Sequence, residues 1–241
     1  VGQFTLKVEN SNSAPADWLL WAGTVAKMKI GTNNADGLWQ EKYDYENAQP
    51  PFSFTYGGQP SRDVMKGWDF KAEHIKVDDD RTAHILTWSD PKTGLLVRWD
   101  GLEYNDYESI EWTVYLVNEG DSDTPLIENI QGLDADFTRG VGDEYVLHHA
   151  KGTVIRADDF EPLTTTLVPN DKQRFVPLAG RSCGGVWPYY NLQAGDEGMI
   201  LAIGWPGQWA SEFTRDDDRT LHIKAGQELT HLVLHPGEMV R

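Results

Sequence analysis

Hydrophobic and polar residues alternate in short runs along most of the chain, and turn residues separate these runs. The run HILTWSD (84–90) is followed by the turn sequence PKTG and then by LLVRWDGLEY (95–104). The next run, SIEWTVYLVNEG (109–120), carries apolar residues at every second position: Ile110, Trp112, Val114 and Leu116. Such alternation, bounded by Gly, Pro, Asn and Asp, is typical of β-strands joined by hairpin turns.

Further runs of the same kind extend to the end of the chain: 126–137, 145–157, 199–207, 220–226 and 228–238. Many short strands without long helical stretches indicate a sandwich or a barrel. The sequence therefore predicts an all-β fold, a large antiparallel β-sandwich of two packed sheets with little helix. No low-complexity linker interrupts the chain, so we expect residues 1–241 to form a single domain.

Two segments near the N-terminus depart from this pattern. In DWLLWAGTVAKM (17–28) the apolar residues fit a helical stripe about as well as a strand, and both interpretations stay open. The segment 45–63 is rich in Pro, Gly and Gln, which predicts a long loop that contains a brief strand.

The charge of the chain limits its partners. The formal net charge is −17, from 38 acidic and 21 basic residues. Nucleic acid and anionic membranes bind to clustered Lys and Arg, and the sequence contains no such cluster. No run approaches the roughly 18 apolar residues that a membrane-spanning helix needs. We therefore expect neither nucleic acid nor membrane as a partner, whereas neutral sugars are compatible with the charge.

Residues that commonly bind metals or act in catalysis are not arranged in a recognisable site. Cys183 is the single cysteine, which excludes an intramolecular disulfide and a CxxC zinc site. The aspartate triplets 78–80 and 216–218 lack the spacing of a calcium loop and predict solvated hairpin turns. His148 and His149 are adjacent in a strand and should point to opposite faces. We expect no metal, no cofactor and no catalytic residue in this chain.

The compartment follows only loosely from the sequence. The N-terminal residues VGQFTLKVEN lack the basic and apolar regions of a signal peptide, so any such peptide would precede residue 1. A lone thiol does not decide the compartment, since many bacterial secreted proteins lack disulfides. The expectation is a bacterial protein that is secreted or periplasmic, with a cytoplasmic location left open.

Aromatic residues are abundant, with ten Trp and nine Tyr, and several of them lie in 180–211. The turn GWPGQW (204–209) places two Trp around a Pro-Gly pair, which should interrupt a strand ladder. Rings at a turn beyond a buried strand are placed for ligand contact, because their apolar faces can stack on a pyranose ring. Packing in the core is the alternative. The candidate carbohydrate-binding residues are Trp209, Trp205, Trp187 and Tyr189.

The stretch GRSCGGVWPYYNLQAGDEGMILAIGWPGQWAS (180–211) resembles the N-terminal domain of glycoside hydrolase family thirty-six, the retaining α-galactosidase family. In that family a GW-x-G-x-W turn follows a strand of this kind. Further stretches agree in order and spacing: PFSFTYGGQPS (51–61), YNDYESIEWTVYLVNEGDSDTPLIENIQGLD (104–134), LHHAKGTVIRADDFEPL (147–163) and HLVLHPGEMVR (231–241). The resemblance extends from about residue 50 to the end.

The resemblance implies a galactose-mutarotase-like β-supersandwich that precedes a catalytic (β/α)8 barrel. Both catalytic carboxylates belong to that barrel, and no Asp or Glu of this chain matches their motifs. The implied role is a non-catalytic accessory domain, which packs on the barrel of the same polypeptide and lines the rim of a pocket for a galactoside or a related glycan. Contacts in a homo-oligomer are implied as well.

Two other functions remain open from the sequence. An independent carbohydrate-binding module would need the same aromatic turn, but no barrel would follow residue 241. A mutarotase-like sugar epimerase would need a His acid and a Glu base facing one cleft. No such pair is identifiable from the sequence, and a sugar-epimerisation assay would decide the question.

Overall fold

The computed structural model describes residues 24–26, 49–104, 109–140, 142, 144–195 and 197–241. Of the ambiguous segment 17–28, only 24–26 is described, and it is a strand; the rest lies outside the described residues. The segment 45–63 is described from residue 49 onward, and it contains two short strands and a helix.

The described residues form seventeen strands, and each of the alternating runs contains all or part of one. They are β1 (Thr24–Ala26), β2 (Ser53–Tyr56), β3 (Gln59–Pro60), β4 (Asp69–Lys76), β5 (Arg81–Ser89), β6 (Leu95–Tyr104), β7 (Ser109–Asn118), β8 (Ile127–Thr138), β9 (Tyr145–Ala150), β10 (Pro162–Leu167), β11 (Lys172–Phe175), β12 (Tyr189–Ala194), β13 (Glu197–Ile203), β14 (Trp209–Arg215), β15 (Thr220–Gln227), β16 (His231–Leu232) and β17 (Met239–Val240). The helical part consists of α1 (Ser61–Val64) and a 3-10 turn (Met65–Gly67). No helix in the described part of the chain is long and apolar enough to span a membrane.

The strands form two antiparallel sheets. The ten-stranded sheet has the order β10-β9-β12-β13-β1-β7-β6-β5-β4, and β17 pairs with β7 outside this path. The seven-stranded sheet has the order β11-β14-β15-β8-β2-β3, and β16 pairs with β8. The chain crosses between the sheets several times, and one of these crossings, between β7 and β8, is the acidic turn 121–125. This arrangement confirms the predicted all-β antiparallel sandwich with little helix.

The inner faces of the sheets share one hydrophobic core. On β7 the buried side chains are those at every second position: Ile110, Trp112, Val114 and Leu116. The ring of Trp112 packs against that of Trp99 on β6, with 5.9 Å between the ring centroids. Burying a large apolar side chain contributes about 1.5–3 kcal/mol, and a one-residue slip of β7 would turn all four of its apolar side chains to solvent. The apolar pattern therefore determines the register.

The two aspartate triplets lie in turns between paired strands, in agreement with the prediction. Asp78 accepts a hydrogen bond from the guanidinium of Arg81 at 2.6 Å in the exposed turn between β4 and β5. Asp216 accepts hydrogen bonds from the backbone N–H groups of Asp218 and Thr220, at 3.0 and 2.8 Å, in the turn between β14 and β15. Both triplets therefore stabilise hairpin turns.

A buried arginine at the end of β14 was not predicted. The side chain of Arg215 is 0% exposed, and its Nε donates to Oε1 of Glu144 at 2.9 Å while Nη1 pairs with Asp216. The Arg215 guanidinium also lies 5.7 Å from the ring centroid of Tyr145. Burial raises the pKa of Glu144, but hydrogen bonds from Arg215 and from the backbone N–H of Tyr145 outweigh it and hold this pKa below its ordinary value. This cluster ties the end of β14 to the start of β9.

Candidate functional site

The residues of 180–211 converge at one end of the ten-stranded sheet. The backbone N–H of Ile203 donates to the carbonyl of Pro188 at 2.9 Å, and that of Trp187 donates to the carbonyl of Ala150 at 3.1 Å. The first bond holds the chain that enters β12 beside the end of β13, and the second holds it beside the end of β9. The segments that carry Trp187 and Trp205 therefore emerge at the same end of the sheet.

Three rings form an aromatic platform, defined here as Phe160, Trp187 and Tyr189. The rings of Trp187 and Tyr189 are stacked, with centroids 5.5 Å apart and an interplanar angle of 29°. The ring of Phe160 meets Trp187 edge-on, at 5.1 Å and 86°. Trp187 and Tyr189 are half-buried, and burial raises the pKa of Tyr189. The next residue, Tyr190, points to the core and bonds Ser211, so the platform lies on the outer face of the sheet.

The loop before Phe160 is held by one carboxylate. Asp159 accepts hydrogen bonds from the hydroxyl of Thr153 at 2.7 Å and from the backbone N–H groups of Val154 and Ile155 at 2.9 and 3.0 Å. The hydrogen bond from Thr153 is the main cause of a lowered pKa at Asp159, which favours the ionised carboxylate that accepts these three bonds. Phe160, 51% exposed, was missed in the sequence analysis. The only sign of Phe160 in the sequence was that an aromatic residue stands within an acidic turn.

Trp187 is positioned by a close approach of two backbone segments. Lys151 and Val186 form an isolated antiparallel bridge, and the next residue after Lys151 is Gly152. A Cβ atom at Gly152 would overlap the carbonyl oxygen of Cys183 and lie within 2.5 Å of the backbone nitrogen of Val186. Only glycine fits between these segments. The backbone, rather than side-chain packing, therefore sets the position of Trp187.

Trp205 lies apart from the platform. Within the described residues the ring contacts of the platform do not include Trp205. A cleft of about 270 Å³ adjoins Trp205, and Trp112, Gln227 and Arg241 contribute to its walls. A Cβ at Gly207 would lie 2.9 Å from the indole nitrogen of Trp205, so the turn folds directly over the ring. Trp205 is half-buried and faces this cleft.

The position of Trp209 corrects the expectation of a sugar contact there. Its side chain is 0% exposed, and its Nε1 donates to the carbonyl of Ser182 at 2.8 Å. Trp209 is not part of an interrupted ladder: it is the first residue of β14 and pairs with Gln227. The turn ends at Gln208 and not at Trp209, so β14 begins at Trp209. Alternate residues of β14 point to the core, and Trp209 is one of them. Trp209 is a core residue.

The two adjacent histidines of β9 do not converge. His148 bonds Gln193 on the outer face at 3.0 Å, whereas His149 packs against Phe175 with 4.9 Å between ring centroids. The two side chains thus point to opposite faces, as predicted. Among the residues described, no group of three or more His, Cys, Asp or Glu side chains is arranged to hold a metal ion.

Comparison of the sequence with family models and with curated proteins finds no match. Comparison of the structure with solved structures finds GH36 alpha-galactosidase AgaA from Geobacillus stearothermophilus, with a TM-score of 0.58, 15% identity and coverage of 80% of this chain. An alpha-galactosidase from Lactobacillus brevis matches with a TM-score of 0.60, 16% identity and the same 80% coverage. The chain has the fold of a region of these galactosidases.

The galactosidase domain of the alpha-galactosidase-sucrose kinase AgaSK matches as well, with a TM-score of 0.56, 15% identity and 80% coverage of this chain. This chain spans only 28–29% of the length of the chains it matches. At 15–16% identity the likeness establishes a shared fold. It agrees with the fold expected from the resemblance to family thirty-six.

Proposed function

We propose that this chain is the non-catalytic β-sandwich domain of an α-galactosidase-like retaining glycoside hydrolase. The observation that carries the proposal is the structural match, which takes in 80% of this chain but only 28–29% of the galactosidases. The remaining length of such an enzyme leaves room for a separate catalytic barrel. In this proposal residues 1–241 form one domain, which packs on that barrel and contributes to homo-oligomer contacts.

The aromatic platform and Trp205 support a role at the rim of a sugar pocket. Trp187, Tyr189 and Trp205 are half-buried, Phe160 is exposed, and the segments that carry Trp187 and Trp205 emerge at one end of the ten-stranded sheet. A flat apolar face next to polar groups is the surface on which pyranose rings stack. We infer that Trp187, Tyr189 and Trp205 contact the galactoside at the rim of the pocket.

The chain by itself is expected to hydrolyse no glycoside. Retaining glycosidases need two carboxyl groups about 5–5.5 Å apart on either side of the scissile bond, and the resemblance places that pair in the barrel. The measurement is nitrophenol release from an aryl α-galactoside by the purified chain. Activity that disappears on substitution of an Asp or Glu within residues 1–241 would overturn the proposal.

The sequence encoded after Arg241 separates this proposal from its alternative. A catalytic barrel is expected there. If the reading frame ends instead, the favoured function becomes an independent carbohydrate-binding module, which the platform supports because all three of its rings belong to this chain.

Substitutions in the platform should weaken sugar contact without unfolding the domain. Removing the stacked ring in Trp187→Ala or Tyr189→Ala should cost about 1–2 kcal/mol of binding, so Kd or KM for a galactoside should rise about tenfold. The binding constant and KM of each variant are measured on the complete natural polypeptide. Tyr115→Ala is the matched control, since Tyr115 lies half-buried on the outer face of the same sheet under Arg98. Equal effects at Tyr115 and Tyr189 would contradict the assignment.

A further inference from the structure

The outer face of the seven-stranded sheet carries a cavity that is unrelated to the aromatic platform. Its volume is about 520 Å³, within the range of small-molecule sites. We name it the polar trough and define it by six of its residues: Arg62, Gln131, Asp134, Arg174, Glu212 and Lys224. The platform lies on the outer face of the other sheet, so the thickness of the sandwich separates the two surfaces.

One wall of the polar trough is a row of alternating charges across four strands. Arg174 on β11 is the register partner of Glu212 on β14. Glu212 pairs with Lys224 on β15, and Lys224 pairs with Asp134 on β8. Arg62 of α1 extends the row, because its Nη2 donates to Oδ1 of Asp134 at 2.9 Å. Opposite charges in direct cross-strand register stabilise one another.

The polar trough is electrically balanced, unlike the rest of the chain. Its charged lining residues are three cations and three anions: Arg62, Arg174, Lys224, Asp134, Glu212 and Glu228. The whole chain carries a formal net charge of −17. A balanced lining of this kind does not select an ion, because it offers no net charge to attract one.

Asp134 holds the polar trough together. The side chain is 4% exposed and accepts hydrogen bonds from Arg62 at 2.9 Å, from the hydroxyl of Ser53 and from His222 at 3.0 Å. Burial raises the pKa of Asp134, but the hydrogen bonds from His222 and Ser53 and the charges of Arg62 and Lys224 outweigh it and lower this pKa to about 2. Its oxygens are used within the protein, so Asp134 positions its neighbours and does not contact a ligand.

Other side chains of the polar trough keep unused hydrogen-bonding groups. Within the described residues the amide of Gln131 makes no hydrogen bond, which leaves both a donor and an acceptor. Arg62 uses Nη2 for both of its contacts with Asp134, which leaves Nη1. The Nζ of Lys224 lies 3.6 Å from Asp134, and its side chain is 44% exposed. Glu212 pairs with Lys172 through Oε1, which leaves Oε2.

We propose that the polar trough binds a neutral, polyhydroxylated ligand, a short sugar, at a site separate from the aromatic platform. Sugar hydroxyls donate and accept hydrogen bonds, and the trough presents free donors and acceptors side by side without net charge. Ion pairs to Asp134, Lys172 and Glu228 hold the charged side chains of the trough in place before the ligand arrives, which reduces the cost of binding. Gln131, Lys224 and Glu212 contact the hydroxyls. Since no ring stacks on the sugar there, the affinity is weak, in the millimolar range.

The test is a titration of the chain with galactose, melibiose and raffinose, followed by protein-observed NMR. Saturable shifts are expected for backbone amides of β8 and β15. Gln131→Ala should weaken binding about tenfold and leave the melting temperature nearly unchanged, because it removes no partner of a buried group. Lys224→Met should weaken binding to a similar extent with a small loss of stability, because Lys224 lies 3.6 Å from the buried Asp134. Gln193→Ala is the matched control, an exposed glutamine on the outer face of the other sheet. It should bind as the wild type does.

Three results would overturn the proposal. One is the absence of saturable shifts in β8 and β15 with all three sugars. Another is binding that Trp187→Ala abolishes and Gln131→Ala does not affect. The third is tighter binding of galacturonate than of galactose with strong weakening by salt, which would indicate an anion site. None of these decides the proposed accessory role, which depends on the sequence after Arg241.

Discussion

Trp209→Ala should lower the free energy of unfolding by about 3–5 kcal/mol, the range for removing a large aromatic side chain from a core. The ring is fully buried, so the substitution leaves a cavity that the neighbouring strands can fill only in part. It also leaves the carbonyl of Ser182 without the indole N–H that it accepts at 2.8 Å. Sugar binding per folded molecule should not change.

Urea denaturation of the variant and the wild type, with parallel sugar titrations, measures both quantities. Trp187→Ala serves as the comparison, because the same chemical change there removes a half-buried ring of the platform. It should shift the urea midpoint far less and sugar binding far more. If Trp209→Ala left the midpoint in place, the assignment of Trp209 to the core would be wrong.

The second large effect is expected at the buried arginine. Arg215→Met should lower the free energy of unfolding by about 2–3 kcal/mol, because Glu144 loses one of its two arginine partners, the other being Arg139, and carbonyls in the following turn lose a donor. The value lies below the range for breaking a fully buried pair because the Glu144 side chain is 25% exposed. Arg81→Met is the matched control, since the Arg81–Asp78 pair is exposed and such pairs contribute little.

The pH dependence gives an independent measurement of the same cluster. The pKa of Glu144 is lower in the folded protein than its ordinary value. The pair therefore stabilises the fold at pH values above the pKa of the unfolded state, and this stabilisation is lost as the pH falls through the folded pKa. The wild type should lose more stability on acidification than Arg215→Met does. Parallel acid-unfolding curves would refute the role of the pair.

The strands could be predicted from the sequence wherever one face of a strand is uniformly apolar. In β7 the alternation of Ile110, Trp112 and Val114 is enough to predict the strand and its inner face. The same parity exists in β14, where Trp209, Phe213 and Arg215 all face inward. The Pro-Gly pair of the preceding turn obscured the start of that strand, and Trp209 was therefore assigned to a turn.

The surfaces were harder to predict because they depend on pairings between distant parts of the chain. Phe160 meets Trp187 only through the backbone contacts around Gly152. The polar trough combines Arg62, Asp134 and Arg174, which come from separate elements of the seven-stranded sheet and from α1. Strand order, which alternation does not specify, determines that these side chains share one face.

The contact at Gly152 also bears on how ligand preference could be altered. Since two backbones touch there, the distance between them does not depend on the size of any side chain nearby. Combinatorial libraries at 160, 187 and 189 would thus sample new surface chemistries on a constant scaffold. A Cβ at residue 152 would act in the opposite way, because it would push apart the backbone segments that carry the platform while leaving the residues of the platform unchanged.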